Sequence, residues 1–461
     1  MSLKIISTFG DHTSLYPLAV KDCVNSLGMT AFSYDAGGKI EAKDRFIDEF
    51  GTQAIWLGGL PFFKWAFNKT AYKAAKLNPN IDMRLVADKD QFEVATKYAK
   101  EYAKKLEDKN LINSLTDAGK QSKLFRNLFL SKFATATALT LGSFFTLVKV
   151  KQEYTKKQIE KEFWEKKAKE GFYKNDVAKS QAFKGFAANS APKTAEADNS
   201  KKSPSFKGAA SFMQSFMFDP VKNLFIVDAG ITGERLASSR TKSEFVEYSI
   251  KEGSLLLFMY VAGRYVQKGI EKLSEKIFKK PIELHAEFLA SDELKNSISS
   301  GKINKDLEAF SKIADNKKAI YEFFYADKNS GNIIVQAAKK SGILSTLKDA
   351  SKKDTGLINP HQYIDAEKMK ELANNLKKVS ETYNKSGEGL EQFLKKATNL
   401  KIGSVAANIG VSCLFLGLIV PYAMLKYREK QNGNKEFHVQ KQIQQNLENN
   451  FKARQNTIAK A

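Results

Sequence analysis

Cysteine is almost absent from this chain, with two in 461 residues. Cys23 and Cys413 stand far apart, which excludes a disulfide framework and a cysteine-based zinc site. Histidine is nearly as scarce. His12, His285, His361 and His438 are scattered, with no H-E-x-x-H and no pair at helical ligand spacing. Recognisable catalytic motifs are missing too: there is no G-x-S-x-G, nor a Cys–His arrangement of known spacing. Gly37-Gly38-Lys39 lacks the upstream glycine of a phosphate loop, and Ile40 replaces its Ser/Thr, so DAGGKI, Asp35 to Ile40, reads as a turn in which the glycines permit positive φ. Asp327 to Asn332 begins like a calcium loop, then fails where Asn332 and Ala338 replace the glycine and the bidentate glutamate. Asp228 to Arg235 has glycines that could let backbone amides approach an anion. Its plainer reading is a turn with a local Asp228–Arg235 pair. The expectation is therefore a non-catalytic protein with no cofactor, no metal ligands and no identified small-molecule substrate. The start, MSLKIISTFGDHTSLYPL, lacks the apolar core of a signal peptide, so an internal helix is expected to direct any membrane entry.

What the chain does have is positive charge and two long apolar runs. There are 74 Lys and Arg against 51 Asp and Glu, a formal charge of +23, and nearly all the cations are lysine. Such a balance attracts anionic lipid, nucleic acid or acidic protein. The mean hydropathy of −0.39 still places most of the chain in water. Ile402 to Leu425 carries no charge, and basic residues stand on both sides of it. A bilayer core takes about 20 apolar residues of helix. Leu128 to Val148 is the second such run, and Lys132 near its start can snorkel. Both are read as transmembrane helices. Two shorter runs, 54–67 and 254–266, fall below the usual length. The first reads as a buried core segment or as an interfacial or re-entrant one, the second as the central helix of a core, with a partial membrane segment as the alternative. The stretch 245–273 resembles Phe46 to Trp65 in outline, but too loosely to constitute an internal repeat.

Small residues recur at intervals of four along both spans. Ala134, Ala138 and Gly142 form one ridge; Gly403 with Ala407, and Ala406 with Gly410, form others. Such ridges let helix backbones approach closely in lipid. The spans are expected to pack on each other, or on copies of themselves as a homo-oligomer. Both ends of each span are basic, so the positive-inside rule assigns no orientation.

The remainder reads as amphipathic helices. Asp88 caps one over 88–106, and Thr241 with Glu244 makes a capping box before another. Asn359-Pro360 is read as a helix start. Lys149 to Asn175 should extend the first span. Val439, Ile443, Leu447 and Phe451 form a stripe suited to docking. Ala187 to Gly208 is polar and small, hence a flexible linker. No alternating strands are evident. The expected fold is all-α: a multi-helix membrane-associated protein with an N-terminal helical region (1–127), a first span with its charged extension (128–186), the linker (187–208), a second helical region (209–400), and a C-terminal span with a basic Gln/Asn-rich tail (401–461). The expected function is that of a structural or scaffolding membrane protein whose basic flanks suit a bilayer containing anionic lipids. A transporter or channel component is the alternative, disfavoured because neither span holds Asp, Glu, His or Arg. A soluble nucleic-acid binder is the third reading. No recognised module supports it, so no nucleic-acid partner is expected.

Overall fold

Gly38 sets the path of the first helical stretch, Leu15–Ala54, by adopting φ 69° and ψ −157° inside it. Side chains strain to occupy that region, and glycine does not. Cys23 and Gln53 are 30 residues apart. A straight helix would separate them by about 45 Å. Instead Cys23 Sγ lies 3.5 Å from Gln53 Oε1, and Gln53 Nε2 donates to Ser26 Oγ at 2.7 Å. The stretch is an antiparallel hairpin folded at the turn expected in DAGGKI. These coordinates are a computed structural model, which describes residues 15–170, 220–433, 435 and 437–458. The linker expected at 187–208 lies outside them.

A second hairpin joins the helices Pro220–Ala237 and Lys242–Leu256, which pack along each other. Thr241 caps as expected, accepting from Glu244 N at 3.0 Å. The Gly-rich turn expected around Asp228 is instead helix, because Gly230 and Gly233 lie within Pro220–Ala237. The two hairpins repeat each other. Gly28-Met29-Thr30 in one first arm matches Gly230-Ile231-Thr232 in the other. The second arms bury side chains at the same spacing: 41, 44, 45, 48, 49 and 244, 247, 248, 251, 252. Each second arm then runs into a π-helical stretch, Ile55–Gly59 or Leu257–Ala262. The outline too loose to count in sequence is therefore a repeat of structure.

Both long apolar runs are helical. Ser122–Lys169 holds the first run and its charged extension in one helix. The second lies in Leu390–Leu414, a π-helical stretch Phe415–Ile419, and Val420–Asn432. Helix makes up 82% of the structure and strand 2%, so the all-α class holds. The exception is an unforeseen antiparallel pair, β1 (Thr346–Lys348) and β2 (Asp354–Ile358), with Thr346 opposite Ile358. Asn359-Pro360 starts no helix. Asn359 Oδ1 accepts from His361 N at 3.0 Å, and the next helix, Ala366–Ser386, is capped by Asp365.

The chain divides into two units. The first holds the described residues up to Asp22, with Gly58–Leu139 and Leu257–Leu414. Its helix Lys89–Lys105 is capped by Asp88, which accepts from Gln91 N at 3.0 Å. The other Asp88 oxygen accepts from Tyr321 at 3.0 Å, and Tyr102 donates to the Tyr325 carbonyl. The second unit holds Cys23–Leu57 and the described parts of Thr140–Leu256 and Phe415–Ala461. There the tail helix His438–Ile458 buries Val439 and Phe451. Phe451 meets Trp164 edge-on, and Lys167 pairs with Glu448 at 3.2 Å. The apolar stripe read in the tail therefore docks on the chain itself.

Candidate functional site

The second unit is organised around a network of buried charge. The arm after Gly38 places Glu41, Asp44, Arg45, Asp48 and Glu49 on one helical face, and all five are buried. The helix Lys242–Leu256 does the same with Glu244, Glu247, Tyr248, Lys251 and Glu252. Arg45 reaches Glu247 at 3.1 Å and lies over the Tyr248 ring at 5.0 Å. Lys251 pairs with Glu49, and with Glu252 at 2.8 Å. Arg235 pairs with Glu252 and donates to Thr52 Oγ1 at 2.8 Å. Arg240 forks between Asp44 at 3.1 Å and Glu244 at 2.6 Å.

Two more cations enter from the long helices. Lys151, three residues past the first apolar run, donates to the Tyr248 hydroxyl at 3.0 Å and lies 3.3 Å from Asp48. Thr155, one turn on, donates to Asp44 at 2.5 Å. Arg428, three residues past the second run, bonds Glu247 through Nε at 2.9 Å and Glu41 through Nη2 at 2.8 Å. Six cations thus answer seven carboxyls. Burial by itself disfavours the charged form of a carboxyl and raises its pKa. For Asp44 the burial is outweighed by Lys151 and Arg240, which hold it below the usual range. For Glu252 Arg235 and Lys251 do the same. Glu41 goes the other way: burial outweighs Arg428 and holds it up. Such a network ties five helical segments together, and it loses heavily if one partner is removed.

The first unit carries a narrower polar seam between the helix Gly263–Phe278 and the start of the second apolar run. Asn408 Nδ2 donates to the Gly263 carbonyl at 2.7 Å, Gln267 Nε2 to Ser404 at 3.1 Å, and Lys401 to Glu271 at 3.2 Å. The partners step in opposite directions, so the two helices are antiparallel. Lys21, 1% exposed, ends on Asn408 Oδ1 at 2.9 Å.

Arg235 and Glu244 were named from the sequence in other roles, and the rest of the network and the seam were not singled out. Charges at helical spacing look the same whether that face meets water or protein. Arginine usage was the available signal. In a chain that uses lysine almost everywhere, Arg45, Arg235, Arg240 and Arg428 all sit in the network, where a planar fork can bond two carboxylates and an ammonium cannot. The small-residue ridges are elsewhere. Ala134, Ala138, Gly142, Gly403, Ala406, Ala407 and Gly410 are all exposed. Open space surrounds the position a Cβ would take at Gly142, Gly403 and Gly410. The close glycine contact is a different one. A Cβ on Gly28 would lie 2.1 Å from the Gly417 carbonyl oxygen. In the repeated hairpin, a Cβ on Gly230 would lie 2.8 Å from Leu141.

Among the described residues, no group of three or more His, Cys, Asp or Glu side chains could hold a metal ion. No protein-family model matches the chain, and comparison with curated proteins and with solved structures finds no match.

Proposed function

We propose that the chain is an integral membrane protein with a structural or scaffolding role, anchored through its two long apolar helices. One observation carries this reading. The most apolar windows of those helices are only 22% and 33% buried. A core helix of a water-soluble protein would be mostly buried, and these turn Leu130, Leu139, Phe145, Val411, Leu414 and Leu418 outward. Large apolar side chains cost free energy in water at about 25 cal/mol per Å² and none in hydrocarbon. The neighbouring helices support the same environment, since they bury charge and expose Phe46 and Phe245. Outside these helices, the other exposed large apolar residues lie within 57–65 and 257–278, and none lies between 279 and 410 among the described residues. The paired carboxyls and cations suit a static tie between helices. The basic flanks suit an anionic lipid surface. Alkaline carbonate should leave the full-length protein in the membrane pellet, and detergent should release it. Release by carbonate alone would refute the proposal.

A transporter is the second reading, favoured by Lys21. It is buried, with a neutral amide as its hydrogen-bond partner, beside a residue of the second span. Ionisable groups at such depth often mark an ion path. Sealed proteoliposomes under a potassium diffusion potential test it. Proton entry no faster than into protein-free vesicles counts against it.

A further inference from the structure

We propose that the two short segments, 54–67 and 254–266, also cross the bilayer, so that lipid acyl chains cover their outward faces. The proposal rests on the membrane reading above.

The first span ends at Val148, and Lys151 is already inside the charge network. The second ends at Leu425, and Arg428 is inside the same network. The two cations bond successive residues of one helix, Tyr248 and Glu247. The C-terminal ends of both spans therefore lie on one side of the membrane, and the spans are parallel. Each must begin on the opposite side. Glu252 also belongs to the network, so the chain from 253 to 401 has to cross an odd number of times before the second span starts. The one dense apolar run in that interval is 254–266. Glu49 belongs to the network as well. The chain from 50 to 127 therefore has to cross an odd number of times before the first span starts, and its apolar run is 54–67.

Local packing agrees. In the second unit the arm after Gly38 runs antiparallel to the first long helix: Asp44 meets Thr155, Asp48 meets Lys151, and Gly51 faces Leu147. In the first unit the helix that follows 254–266 runs antiparallel to the start of the second span along the polar seam. The seam also explains how a run this short can cross. Gln267 and Glu271, beyond its apolar part, are turned onto Ser404 and Lys401. The outward face of the first segment presents Leu57, Phe62 and Trp65; that of the second presents Leu257, Val261 and Tyr265. All six are exposed and fit hydrocarbon or its interface.

The test places single cysteines at exposed positions in the full-length chain, with Cys23 and Cys413 changed to serine. The substitutions are Lys39→Cys, Lys89→Cys, Glu153→Cys, Lys312→Cys and Gln445→Cys. Sealed, uniformly oriented membrane vesicles are labelled with an impermeant maleimide before and after permeabilisation. The expected result groups positions 39, 153 and 445 on one side, with 89 and 312 on the other. Finding 39 on the side of 89 would overturn the crossing by 54–67. Finding 312 on the side of 153 would overturn the crossing by 254–266. Equal labelling of all five from outside, with release by carbonate, would instead refute the membrane reading itself.

Discussion

At Gly28 a single methyl group decides the outcome. The Gly28→Ala Cβ would meet the Gly417 carbonyl at 2.1 Å, and both sides of that contact are backbone. Neither helix can yield cheaply, so a loss of about 3 kcal/mol is expected. Gly142 is the counterpart: it is helical, with open space around it. Gly142→Ala should therefore gain up to about 1 kcal/mol from helix propensity. Thermal unfolding of the detergent-solubilised protein compares the two, and equal effects would refute the packing described. His361 offers a second single-residue test. Its Nε2 donates to the Leu111 carbonyl at 3.1 Å and meets Ser114 Oγ at 2.9 Å. Burial holds its imidazole below the ordinary 6.5, against the pull of Leu111 and Asp108. The folded state thus favours the neutral ring. That contribution is complete above about 6.5 and is lost as pH falls from there through the folded value. Melting followed from about pH 8 to pH 5 should show this decline, and His361→Gln should flatten it. A wild-type melting temperature constant over that range would contradict the assignment. The sequence displayed Gly38 and the caps at Asp88 and Thr241, because their partners are local. It could not display Gly28, whose partner Gly417 is remote in the chain.

Among the helical elements, polarity is reversed on the arm after Gly38 and on Lys242–Leu256. The capping box at Thr241 made the second legible as a helix, whereas the arm after Gly38 carried no such signal. Which face turned inward was legible in neither, since an amphipathic pattern carries no label for its solvent. The same ambiguity hid the polar seam, where Ser404 and Asn408 lie inside an otherwise apolar, uncharged run. Asn359-Pro360 misled for a related reason: the asparagine caps an isolated turn as readily as a helix. The network makes the element-level prediction. Arg428→Met strands Glu41 and leaves Glu247 to Arg45 alone, and should cost about 3–5 kcal/mol. Adding Glu41→Gln should restore most of that loss, because the buried charge disappears with its partner. Arg428→Lys should recover less, since an ammonium cannot fork to both carboxylates. Chemical denaturation of the three variants measures this, and equal stabilities would dismiss the network as a tie.

For the whole molecule, composition foretold the helical class and two helices long and apolar enough to cross a membrane. It did not foretell β1 and β2, which are too short to show alternation. Nor did it foretell the repeat, which resides in spacing and burial rather than in residue identity. The formal charge of +23 remains a property of the entire chain. Reconstitution into vesicles with an anionic lipid should raise the melting temperature relative to a zwitterionic lipid. Raising salt from about 0.1 M to 1 M should erase most of the difference, as the screening length falls from about 10 Å to 3 Å. No dependence on lipid charge would mean that the lysines serve solubility alone.

The network also has a history in time. Arg428 follows Glu41 by 387 residues. At about 5–20 residues per second, a ribosome delivers it roughly 20–80 s after the carboxylate it must meet. The other acids of the first hairpin meet Lys151, Arg235, Arg240 and Lys251 earlier, so through that interval Glu41 alone waits for its partner. A polypeptide that stops short of Arg428 carries Glu41 buried without its cation, and the network closes only when that late guanidinium arrives.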